Sequence, residues 1–137
     1  AMQIEPLNER IRERFLELFG DQPELVNMTF ARAYEYAMAK GCVIWSKRID
    51  AERTAHLIRF ASGEEKEEMQ KHLEELAASF AHDFDVVFSC SKGFMQIKEY
   101  TLAERWLEHA VQLRPCSSPA LAKLAQVILI MRNDVKA

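Results

Sequence analysis

The chain has 137 residues, of which 49% are apolar and 28% charged, with four Gly and four Pro. That composition excludes a disordered, fibrous or collagen-like chain and suits one domain with a sizeable core, taken here as residues 2–137. Eighteen Lys and Arg against 21 Asp and Glu give a formal charge of −3, without the cationic excess of a general nucleic-acid binder.

The longest aliphatic stretch, Val127-Ile128-Leu129-Ile130-Met131, is far shorter than the roughly 20 residues of a membrane span, so no membrane partner is expected. Ala1 ahead of Met2 reads as a remnant of a cleaved tag. No basic, apolar and small-residue succession of a secretory signal follows it. Cys42, Cys90 and Cys116 are odd in number and widely spaced, a poor disulfide or metal pattern, and a cytoplasmic location is expected.

In chain order the pattern predicts an all-α fold of about seven helices in antiparallel hairpins. Ile4, Leu7, Ile11, Phe15, Leu18 and Phe19 share one helical face, and Gly20 is expected to end that helix in a left-handed cap. Pro23 opens a second helix with Val26, Phe30, Tyr34 and Met38 in line, stopped by Gly41. Cys42-Val43-Ile44-Trp45 has β-branched content but no second strand to pair with, and is read as a buried corner or the first turn of the next helix. Asp50 is expected to cap a helix whose apolar face holds Thr54, Leu57, Ile58 and Phe60. Ser62-Gly63-Glu64-Glu65 has the Ser-x-x-Glu pattern of a capping box, followed by the stripe Met69, Leu73, Leu76, Ala77 and Phe80. Helices over about 84–98 and 100–113 come next. Pro115 stops the second of these, and Ser118-Pro119 starts a last helix that runs to about Arg132.

The most informative pattern is Tyr100-x2-Ala103-x3-Leu107-x2-Ala110-Val111-x-Leu113-x-Pro115. Ala103 and Ala110, seven apart, allow a neighbouring helix to approach closely. Leu107 and Leu113 fill the groove between neighbours, and Pro115 breaks the chain for the next hairpin. Upstream, Val87, Cys90, Ser91 and Phe94 supply a large, large, small and aromatic series. Thirty-four residues after Val87 the series returns as Leu121, Leu124, Ala125 and Ile128.

This spacing resembles the tetratricopeptide repeat, over residues 84–133, some 50 of the 137 residues. Cys90 stands where that family usually has Leu, and Ser91 where it usually has Gly. Residues 2–83 do not keep the phase and are read as divergent N-terminal helices completing the stack. The resemblance implies a non-enzymatic interaction module, an adaptor or chaperone-like protein whose first-helix side chains form a concave face toward a partner protein. It puts Lys92, Met95, Gln96 and Lys123 on that face. The apolar run of the last helix covers more than one face, so Ile128, Ile130 and Met131 are candidates for contact with a partner or, in a homodimer, a second copy.

A second reading belongs to a different class. Lys40, Lys47, Arg48, Arg53 and Arg59, against Asp50 and Glu52, give residues 40–60 a net +3 beside Trp45, which would suit a phosphate backbone and a stacked base. The plainer view of that run is a solvated face paired with carboxylates such as Glu64, Glu65, Glu67 and Glu68, and the acidic run itself suits the first turns of a helix. His56, His72, His82 and His109 show no zinc-binding spacing, no Gly-rich phosphate loop or nucleophile elbow is present, and neither a metal nor a cofactor is expected.

Overall fold

The computed structural model describes residues 9–136, with side chains for residues 13–133. Within them the chain forms α1 (Glu9–Phe19), α2 (Pro23–Ala39), α3 (Val43–Leu57), a 3₁₀ turn (Ile58–Phe60), α4 (Gly63–Ser79), α5 (Phe84–Gln96), α6 (Tyr100–Leu113) and α7 (Ser118–Lys136), and no strand. Ile4 and Leu7, expected on the apolar face of the first helix, lie outside the described residues.

Helix α5 is the hub. It packs on α3, α4 and α6, while α2 packs on α3 and α7 on α6. The main core gathers Ile58, Leu73, Leu76, Val86, Cys90, Phe94, Leu107 and Val127 between α3 and α7. A smaller cluster of Val26, Phe30, Ala33, Ala37 and Ile49 joins α2 to α3. The α3–α5 crossing is close because small residues meet there. A Cβ on Gly93 would stand 3.0 Å from the Ala55 Cα and 2.6 Å from a Leu73 methyl. Val87, Cys90, Ser91 and Phe94 on α5, and Ala103, Leu107 and Ala110 on α6, are all fully buried.

Several local expectations need correction. Asp50 does not cap a helix. It lies within α3, which starts at Val43 without a capping side chain, directly after the turn in which the Cys42 N–H bonds the Ala37 carbonyl. The β-branched run Val43-Ile44 is therefore the first turn of that helix. Ser62 occupies the N-cap of α4 but its side chain makes no cap hydrogen bond, because Gly63 follows at φ +59°, away from the helical backbone the box requires. Gly20 ends α1 without a left-handed φ; its reason is space, since a Cβ there would collide with the Leu16 carbonyl and touch the His56 ring at 3.2 Å. Gly41, at φ +73°, does close α2 in the left-handed region.

The face of α2 also drifts from the expected line, with Ala33 and Ala37 buried and Met38 50% exposed. α5 ends at Gln96, short of residue 98, because Lys98 takes φ 62° and the Glu99 N–H bonds the Phe94 carbonyl. In α7, Ala120 and Val127 are buried and Leu124 and Met131 pack on the main core, whereas Leu121 and Leu129 are 44% and 60% exposed. Among the described residues no helix is long and apolar enough to cross a membrane.

Candidate interaction cleft

Helices α1, α3 and α5 line a cleft of about 170 Å³. From α3 come Trp45, Arg48, Glu52 and His56; from α5 come Asp85, Ser89, Lys92 and Gln96. Within each set the residues recur every three or four positions, so each is one face of a helix, and the two stripes confront one another. Glu13 and Leu16 of α1 close one side.

One wall is anchored by a residue that sequence reasoning did not single out. Asp83 is 8% exposed and caps α5 by accepting the Val86 N–H at 3.0 Å. The same carboxylate accepts from Arg48 Nη2 on Oδ2 at 2.8 Å and from Arg48 Nε on both oxygens at 3.2 Å. Burial works to raise the Asp83 carboxyl, but the Arg48 hydrogen bonds, the Val86 N–H and the Arg48 charge outweigh it and hold the group below its ordinary value. Arg48 also reaches Asp85 at 3.4 Å and lies over the Trp45 ring at 4.8 Å. Its guanidinium thus ties the start of α5 to α3.

At the far end of α3, the Gly20 carbonyl accepts from both His56 Nε2 and Arg59 Nη2 at 2.8 Å, which docks the α1–α2 corner on α3. Behind the cleft, the buried Asp50 accepts from His72 Nε2 at 2.8 Å and from Thr54 Oγ1 at 3.3 Å. Cys90 is fully buried. Burial, with the Asp50 charge added, pushes its thiol up to about 12, so it is a small apolar group and a poor nucleophile.

The structure brings together members of both candidate sets. Lys92 and Gln96 line the cleft beside Trp45 and Arg48. Lys92 holds its ammonium 4.9 Å from the Phe88 ring centroid. Met95 instead packs against the main core, as does Met131, while Lys123, Ile128 and Ile130 sit half-buried on α7. The basic residues of 40–59 do not form one stripe. Lys40 lies over Tyr36 and Lys47 over Phe80, Arg53 pairs with Asp50 at 3.4 Å, and Arg59 with Asp21 at 3.6 Å. Their acidic partners are thus Asp83, Asp85, Asp50 and Asp21, and not the Glu64–Glu68 run.

Glu13, Leu16, Glu52, His56, Asp85 and Ser89 were missed as cleft residues. The available signal was the polar series Asp85, Ser89, Lys92 and Gln96 along one face of an otherwise apolar helix. Among the described residues no three His, Cys, Asp or Glu side chains converge as metal ligands. Compared with models of known families, with curated proteins and with solved structures, the chain finds no match in any of the three.

Proposed function

We propose that this chain is a protein-interaction module, adaptor-like or chaperone-like and not an enzyme, which holds a segment of a partner protein in the cleft between α1, α3 and α5. The observation that carries the proposal is the confrontation of the two polar stripes, which offers side chains of both charges, an amide and an indole along one groove. Of the four residues that the tetratricopeptide resemblance puts on the partner face, Lys92 and Gln96 line the groove and support the reading, whereas Met95 and Lys123 do not line it.

A nucleic-acid partner is disfavoured. Three carboxylates, Glu13, Glu52 and Asp85, stand in the same groove, and Arg48 is already held by Asp83. A phosphate backbone would meet repulsion where it needs counter-charge.

Selection of peptides from a random display library tests the proposal. Selected peptides are expected to shift the amides of Glu52, Ser89, Lys92 and Gln96, and to bind roughly tenfold or more weakly to Lys92→Glu. Selected peptides that leave those amides unmoved, or a duplex that moves them with steep salt dependence, would refute it.

We also propose that a second copy covers the outer face of α7. Leu121 and Leu129, both exposed, lie four residues either side of Ala125, so a two-fold axis there sets Leu121 of one copy against Leu129 of the other in a self-complementary patch. Sedimentation is expected to show a dimer that Leu129→Glu dissociates. A clean monomer at micromolar concentration would exclude it.

A further inference from the structure

A second depression lies between α2 and α4, floored by α3 and the 3₁₀ turn, and encloses about 530 Å³. Its apolar part is Leu57, Phe60 and Met69. Phe60 is 44% exposed because the chain tightens into the 3₁₀ turn after Leu57, which takes its ring out of the α3 face. Glu24 from α2 and Glu65 from α4 stand at its rim, both exposed. Neither forms an ion pair among the described residues. Arg53, in the lining, is held by Asp50 at 3.4 Å and lies over the Tyr34 ring at 5.9 Å, and Arg59, over the Phe60 ring at 4.7 Å, pairs with Asp21 at 3.6 Å.

Each glutamate is in the first turn of its helix, where the macrodipole favours a negative charge. That accounts for one acid on each helix. It does not account for both lining one trough with Phe60, whose ring stays exposed although the Arg59 guanidinium lies 4.7 Å from its centroid. The depression combines an apolar floor with an uncompensated acidic rim, and its complement has the opposite charge and an apolar tip.

We propose that this trough is a second docking site, separate from the α1–α3–α5 cleft, for a polypeptide segment that seats a large apolar side chain on Phe60 and Met69 and sets Lys or Arg beside it against Glu24 and Glu65. Charge complementarity selects this occupant. An anionic lipid surface or a nucleic acid would be repelled by the rim, and an acidic segment equally so.

Three synthetic 14-residue peptides test the proposal: one of Leu and Lys in amphipathic order, one of Gly and Lys with the same charge, and one of Leu and Glu. The Leu–Lys peptide is expected to bind, to shift the Met69 methyl and Phe60 ring signals, and to lose roughly tenfold or more in affinity on Phe60→Ser and on Glu24→Lys with Glu65→Lys. All these positions but Met69 are exposed, and native melting behaviour is checked for each variant. The Met69 methyl shift in the unaltered protein gives a readout that needs no variant. Equal binding of the Gly–Lys peptide would mean attraction to acidic surface alone, and equal binding of the Leu–Glu peptide would remove the role of the rim. Either result overturns the proposal, as does Leu–Lys binding with the Met69 methyl unmoved. Glu13→Lys, which makes the cleft less acidic, is expected to leave Leu–Lys binding unchanged. A parallel loss there would put the peptide in the cleft and overturn the second site while sparing the first.

Discussion

The α5–α6 pair and the α1–α2 pair are neighbouring helices joined by short turns, yet they are held by different forces. Between α5 and α6, seven side chains from Val87 to Ala110 are fully buried, and large residues alternate with Ala and Ser so that the helices interdigitate. At the α1–α2 corner Leu18 and Phe19 are 58% and 39% exposed. There α1 sets only the partly buried Phe15 and Leu16 on the α2–α3 cluster, and the Gly20 carbonyl, gripped by His56 and Arg59, fixes the corner. Apolar interdigitation is cooperative over the whole core, whereas a hydrogen-bonded corner can open alone. The cleft lies between a wall of the first kind and a wall of the second, so its α5 side is the rigid one.

The sharpest break of this contrast is Phe94→Ala. It should destabilise the whole molecule by about 3–5 kcal/mol, measured by chemical denaturation, with the amides that exchange by global unfolding losing protection together. Loss confined to α5 and α6 would show that they are not part of one core.

Next in size is Asp83→Ala, which removes both the α5 cap and the Arg48 partner. A loss of about 2 kcal/mol is expected, discounted because Arg48 is partly exposed. The fold holds the Asp83 carboxyl below its ordinary 3.8. Its contribution is therefore full above that value and disappears as pH falls through the lowered one. The acid limb of the melting curve should be shallower in Asp83→Asn, which keeps the cap and loses the titration.

Gly20→Ala is a local test of comparable size. The added methyl meets the Leu16 carbonyl and the His56 ring, and a loss of about 1–3 kcal/mol is expected. Hydrogen exchange should quicken in α1 and leave α5 and α6 protected. Uniform acceleration would show that the corner is part of the global core after all.

The smallest effect compares two helix ends. Gly41 after α2 and Lys98 after α5 both take a left-handed φ and both sit in the same pair of closing hydrogen bonds. Only lysine pays a steric penalty for it. Lys98→Gly should raise stability by about 1 kcal/mol, readable as a higher melting temperature.

How far the sequence could be read follows the same division. The limits of α6, residues 100–113, and the start of α7 at Ser118 were legible because Pro115, Pro119 and the small-large alternation act within a few residues. Asp50 was misplaced because its partners are tertiary. His72 is 22 positions away, and the polar residue that resembled a cap is buried in the middle of α3. In the cleft, Lys92 and Gln96 were visible from the repeat phase. Their companions on α3 were not, because facing stripes exist only once two helices are set side by side. The basic run of 40–59 looked continuous in the chain and is dispersed in space, each cation turned to its own ring or carboxylate.

By itself the sequence determined the helices: their number, most of their ends, and which face of α5 and α6 is apolar. Those are consequences of periodicity, Gly and Pro, and such forces act over one or two turns. Only the tertiary structure decided which polar stripes meet, that Asp83 joins a helix cap to an ion pair with Arg48, and that Phe60 shares a trough with Glu24 and Glu65. Those depend on distances between residues far apart in the chain, which no local rule encodes.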